Sequence, residues 1–203
     1  MRNDLDIHNE LLKENPFSEY SEVELRALAA RLIASDPSKN NYLIEPLSYI
    51  WGHLKGASRT EFNQRMPSDL LPIRWLPKVK KYLHSIKFKS TPRGRGHVYF
   101  IPLNLNHIVS VNPQISCYGL YIGSSFYKPQ TRLKHHLEDR NANTDVKSRS
   151  YKYYLVSLSH IFAPISAPDA YEIELQCLDS LRIRNMKNLP KKVIKGDKYK
   201  RVT

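Results

Sequence analysis

The sequence predicts an α+β protein: a short antiparallel sheet flanked by helices and preceded by a mainly helical N-terminal region. Three observations carry that expectation. Apolar residues recur at helical spacing through much of the first 90 positions, two runs rich in aromatic and β-branched residues follow near positions 97 and 118, and a capped helical pattern starts near position 169. Strands and helices ordered in this way build α+β domains. With 203 residues the chain has room for one domain of about 100 residues and a helical attachment. The expected division is a helical region over 1–90, a folded domain over 91–190 and a basic tail over 191–203.

The first clear helix is announced by Ser21 and Glu24, a capping box, ahead of Leu25, Leu28, Ala29 and Leu32 on one face, so a helix over 21–34 is expected. Asp36-Pro37-Ser38 ends it. Tyr42, Ile44, Leu47, Ile50, Trp51 and Leu54 predict a second helix closing near Gly56. Pro67, Pro72 and Pro77 interrupt the next stretch, after which Lys78 to Ile86 reads as a short helix. Lys87, Lys89, Arg93 and Arg95 form a basic linker, and the boundary is placed near residue 90.

Beyond it, His97-Val98-Tyr99-Phe100-Ile101 and Tyr118-Gly119-Leu120-Tyr121-Ile122 read as strands of a hairpin with a long connection. Pro129 opens a helix to about Arg140, with Leu133 and Leu137 marking its buried face. Another strand is expected over Tyr153 to Leu158. Asp169 as N-cap and Glu172 at N3 then start a final helix carrying Ile173, Cys177, Leu178 and Leu181. The lysine-rich stretch from Lys187 to Thr203 is expected to be mobile.

Lys and Arg total 32 against 19 Asp and Glu, a net charge of +13, which favours a polyanionic partner, with nucleic acid first among them. No run approaches the roughly 18 apolar residues of a membrane span, and Met1-Arg2-Asn3-Asp4 does not begin like a signal peptide, so a cytoplasmic protein without membrane attachment is expected. Cys117 and Cys177 are too few for a disulfide framework and lack zinc-site spacing; both read as reduced core residues.

Two features point to chemistry. Glu174 shares a helical face with Ala170, Cys177, Leu178 and Leu181, and a carboxylate on a core-facing stripe calls for a cation, a metal ion or a dense set of hydrogen bonds. Arg132 and His136, at i and i+4, project from one side of the preceding helix and can converge on one anion, Arg as a planar fork and His as donor or proton acceptor.

The order Val98-Tyr99, Tyr121-Ile122-Gly123-Ser124, Arg132 with His136, and a later helix bearing Glu174 resembles the GIY-YIG nuclease superfamily over residues 94 to 190. Gly96-His97-Val98-Tyr99 and Tyr121-Ile122-Gly123 stand for the two strand motifs. The second agrees in residue type; the first has His97 in place of Gly and Val98 in place of Ile. The resemblance implies a metal-dependent DNA endonuclease in which Glu174 holds one Mg²⁺ or Mn²⁺ ion, Arg132 neutralises the phosphate, and Tyr99, Tyr121 and His136 position or deprotonate the attacking water. Asn185 or Asn188 would supply the family's late Asn. Lys89, Arg93, Arg95 and Lys134 are the expected contacts to double-stranded DNA. A restriction-type enzyme, as a homodimer on a palindromic site, is the leading expectation; a homing or structure-specific repair or recombination nuclease and a non-catalytic DNA-binding protein are the alternatives. Gly123 is expected to allow close approach of the following helix.

Overall fold

The computed structural model describes residues 4–37, 40–67, 72–88, 94–105, 118–139, 143–162, 165–183 and 193–195. The chain divides into two compact units, 1–85 and 86–203.

The first unit is helical: α1 (Asp4–Leu12), α2 (Glu22–Ala34), α3 (Ile44–His53), α4 (Gly56–Arg65) and α5 (Leu76–His84). The capping box at the start of α2 is formed, the Ser21 hydroxyl accepting from the Glu24 amide at 3.3 Å while the Ser21 amide donates to the Glu24 carboxylate at 2.8 Å. Asp36, in the left-handed region at φ 55°, turns the chain after that helix. Gly56 does not close the helix before it. It opens α4, at φ 47°, a conformation that Gly adopts without steric cost. Helix α5 starts two residues earlier than expected, because Pro77 sits in its first turn, where a missing N–H costs nothing. Ile44, Leu47 and Ile50 of α3 and Val79 and Leu83 of α5 are fully buried where those helices pack together. Lys80 is buried among them and donates to the Leu11 carbonyl at 2.7 Å, satisfying the last turn of α1.

The second unit is built on β1 (His97–Asn104) and β2 (Tyr118–Ser125), an antiparallel pair in the register Tyr99 to Gly123 and Ile101 to Tyr121. Pro102 is accommodated because β1 is an edge of the sheet. A third strand, β3 (Val193–Lys195), pairs parallel with β2, so the tail expected to be mobile contributes a sheet edge. Helices α6 (Pro129–Glu138), α7 (Thr144–Arg149), α8 (Val156–Ser159) and α9 (Ala167–Ile183) complete the unit, an α+β architecture as expected.

Strand alternation gives the sheet two distinct faces. Tyr99, Ile101, Leu103 and Tyr121 share one, packed with Leu133 of α6 and Val146 of α7. Val98, Phe100, Leu120 and Ile122 lie on the other and are fully buried.

Residues 153–158 do not form the expected strand. Lys152 takes a left-handed conformation at φ 60° and breaks the extended run. The segment meets β1 through a bridge from Ser150 to Leu103, amide bonds from Tyr151 and Leu155 to the carbonyls of Pro102 and Phe100, and the packing of Tyr154, then turns into α8. The start of α9 also differs. Its cap is Ser166, whose hydroxyl accepts from the Asp169 amide at 3.2 Å, so Asp169 is the acidic residue of the first turn instead of the N-cap. Cys177 is buried and reduced, and burial pushes its thiol pKa up to about 12. Cys117, Asn185 and Asn188 lie outside the described residues.

Candidate active site

Tyr99 is the hub of a polar cluster in the second unit. Its strand position turns the ring toward α6, and its hydroxyl meets the His136 Nε2 at 2.9 Å. The Tyr121 hydroxyl approaches the same nitrogen at 3.5 Å, its ring edge-on to the imidazole with centroids 5.3 Å apart. Arg132, one helical turn before His136, hydrogen-bonds Tyr99, and so does Tyr121. Four of the five residues singled out in the sequence therefore converge.

The fifth, Glu174, reaches the cluster through charge. Ser124 donates to its Oε2 at 2.7 Å. Alternation puts Ser124 on the opposite face of β2 from Tyr121 and Gly123, so the group of residues straddles the end of the hairpin. The Glu174 charge is nevertheless felt at the Tyr99 phenol.

Burial and neighbouring charge determine the protonation states. Burial raises the Tyr99 pKa above the ordinary phenol value; the Arg132 charge and the hydrogen bonds from Arg132 and Tyr121 oppose the rise, and Glu174 adds to it. The phenol is therefore protonated at neutral pH. Burial, followed by repulsion from Arg132 and His135, pushes His136 down to about 4, with Asp139 acting against the shift. A neutral imidazole can accept a proton, and Nε2 is the nitrogen that faces the two phenols. Nδ1 of His136 is buried and makes no hydrogen bond among the described residues.

Gly123 is required by the tyrosine, not by the following helix as expected. A methyl group at this position would overlap the Tyr99 hydroxyl and stand 2.6 Å from its Cζ. The second glycine of the pattern thus makes room for the cross-strand phenol that the first supplies.

Compared with protein families, curated proteins and solved structures, the chain matches none.

The cluster is sealed on most sides. Tyr99, Tyr121, His136 and Glu174 are each at most 1% exposed, while Arg132 and Ser124 are partly exposed. An incoming anion therefore meets the guanidinium and the hydroxyl first. Ser124 is the site residue that sequence reasoning passed over; its place directly after Tyr121-Ile122-Gly123, on the alternate face, is the signal that marks it.

Among the described residues no group of three or more His, Cys, Asp and Glu side chains surrounds a common point. A cation here would take Glu174 as its one carboxylate. Glu174 and Ser124, which meet at 2.7 Å, both offer oxygen, which suits a hard ion such as Mg²⁺ or Mn²⁺ that keeps several of its own waters.

The basic residues expected to contact DNA are spread more widely. Arg95 is exposed, Lys134 is exposed and lies 3.8 Å from Glu138, and Lys89 and Arg93 lie outside the described residues. Residues 1–85 carry 12 of the 32 basic and 11 of the 19 acidic side chains, so +12 of the net +13 belongs to the second unit, which also holds the cluster. Among the described residues no helix is long and apolar enough to cross a membrane.

Proposed function

We propose that the chain is a metal-dependent DNA endonuclease whose active site is the Tyr99, Tyr121, Arg132, His136 and Glu174 cluster. The observation that carries the reading is the bond between the Tyr99 hydroxyl and a neutral His136, with Arg132 on the same phenol and a carboxylate close enough to act on it. A protonated phenol beside a neutral imidazole is a proton relay: the attacking water gives a proton to the Tyr99 oxygen as that phenol passes its own to His136 Nε2. Hydroxide then adds to phosphorus in line with the departing oxygen, and Arg132 balances the charge that builds on the phosphoryl oxygens. A divalent ion held by Glu174 would supply stabilisation of charge on the leaving oxygen. Ser124 keeps the carboxylate oriented by donating to Oε2. Concentration of positive charge on the same unit supports DNA as the substrate.

Site-specific, restriction-type cleavage by a homodimer is one form this chemistry can take, two copies supplying the two active sites that a double-strand cut requires. Cytoplasmic location accompanies it. Homing or structure-specific cleavage is the alternative within the same chemistry.

One observation favours a second reading, a DNA-binding protein without activity: the relay and the carboxylate are sealed, and only Arg132 and Ser124 reach the surface. Single-turnover cleavage of end-labelled duplex fragments with Tyr99→Phe and Arg132→Ala separates the two. An endonuclease loses cleavage in both variants by about 10²-fold or more while Tyr99→Phe keeps its DNA affinity. Binding by the parent without cleavage of any duplex, bulged or branched DNA, in Mg²⁺ or Mn²⁺, favours the inactive scaffold.

A further inference from the structure

The segment joining β2 to α6 presents two consecutive aromatic rings to solvent. Phe126 is 53% and Tyr127 is 54% exposed, and they account for two of the three exposed large hydrophobic residues among the described part of this unit. The segment is ordered: Ser125 Oγ accepts from the Tyr127 amide at 3.0 Å, and the Tyr127 ring stands edge-on to His135 with centroids 4.8 Å apart. Its position is fixed by the site, because Ser124 on one side holds Glu174 and Arg132, in the first turn of α6 on the other, holds Tyr99. Lys128, exposed, follows directly.

Two rings beside a lysine, on a unit carrying +12, are too small and too cationic for an apolar protein or membrane contact, which takes several hundred Å² of contiguous apolar surface. Flat π-faces interleaved with cations are the arrangement that accepts nucleobases along a nucleic-acid backbone. In an intact duplex the base faces are covered by their neighbours. A ring beside the scissile phosphate can stack only on a base that has left the helix.

We propose that Phe126 and Tyr127 form a stacking platform for an unstacked nucleobase next to the phosphate bound at Arg132, so that the protein selects DNA with a lifted base, as at a bulge, a mismatch or a single-stranded junction. This rests on the reading of the cluster as the phosphodiester site. It turns the choice between plain-duplex and structure-specific cleavage toward the latter.

The test is binding of oligonucleotides carrying 2-aminopurine at a single-base bulge and of the matched perfect duplex, in the presence of chelator so that nothing is cut. The parent binds the bulged DNA more tightly and quenches its fluorescence. In the double variant Phe126→Ala with Tyr127→Ala, affinity for bulged DNA falls by roughly 10- to 100-fold and the quenching disappears, while affinity for the perfect duplex stays within about twofold. The conservative Phe126→Tyr with Tyr127→Phe retains both. Bulged and perfect DNA bound alike by the parent, or alanine and parent proteins indistinguishable on bulged DNA, would overturn the platform. A parent that binds bulged DNA through these rings and yet cuts nothing with Mg²⁺ or Mn²⁺ overturns the nuclease reading and leaves the platform standing. A parent that cuts, with an alanine variant that binds and cuts bulged DNA equally well, overturns the platform alone.

Discussion

Replacing Gly123 by Ala sets a methyl group against a ring that has nowhere to go. The new carbon overlaps the Tyr99 hydroxyl, lies 2.6 Å from Cζ and 3.1 Å from Cε1, against an ordinary contact of at least 3.4 Å. Tyr99 is 1% exposed and fixed at both ends, by its strand and by the 2.9 Å bond to His136. Overpacking of this kind costs about 1–3 kcal/mol, and displacing the hydroxyl from His136 costs about 1 more. Replacing a strand Gly with Ala returns about 0.5–1 kcal/mol of backbone entropy, which leaves a net loss of roughly 1–3.5 kcal/mol. Urea denaturation followed by circular dichroism measures it in a double-mutant cycle with Tyr99→Val. Without the ring the alanine costs nothing or stabilises slightly, so the coupling between the two positions is about 2 kcal/mol or more. An identical cost of Gly123→Ala in both backgrounds, within about 0.5 kcal/mol, would refute the account of why this position is Gly.

Three further outcomes are expected. His136 has its folded-state pKa lowered to about 4 from an unfolded value of 6.5, so its contribution to stability is fully present above pH 6.5 and is lost as the pH falls from 6.5 toward 4. The stability difference between the parent and His136→Gln changes by up to ~3 kcal/mol over that window, and a flat difference would show that the imidazole is not buried neutral. Lys80, lowered to about 8 from 10.5, carries the converse penalty at neutral pH: raising the pH from 8 to 10.5 stabilises the parent relative to Lys80→Met, again by up to ~3 kcal/mol, and equal pH profiles contradict it. Ser124→Ala removes the donor to Glu174 Oε2 and is expected to cost about 1.5–3 kcal/mol in urea denaturation, with Ser124→Thr much milder; an unchanged midpoint for the alanine variant counts against the bond.

What could be read from the sequence was local. The box at Ser21 and Glu24 and the stripes through Leu47 and Leu133 depend on residues three or four apart, and the helices they announce are present. Helix α4 escaped notice because Phe62 is its only buried residue, so no periodicity marks it. The aromatic run after Ser150 mimicked a strand, but the left-handed Lys152 is a backbone choice that the side chains do not announce. Strand β3 is three residues long, and its parallel pairing to β2 spans about seventy positions of chain.

The site divides in the same way. Arg132 and His136 were visible as an i, i+4 pair, yet Leu133 and Leu137 were expected to mark the buried face of that helix, whereas His136 is fully buried and more enclosed than Leu137. Its burial follows from the two phenols that meet it, 37 and 15 residues away. The Ser124 contact to Glu174 joins residues 50 apart and becomes apparent only when β2 and α9 pack together.

If the cluster cuts DNA with a metal ion on Glu174, as proposed, cleavage of a plasmid depends on that carboxylate and on the metal. Supercoiled plasmid is incubated with Mg²⁺ and the parent protein, with Glu174→Gln, and with the parent plus chelator. Nicked or linear DNA is expected from the parent with Mg²⁺ and no chelator, with cleavage reduced by at least about 10²-fold in the variant. Equal cleavage by Glu174→Gln, or cleavage that persists in chelator, would contradict it.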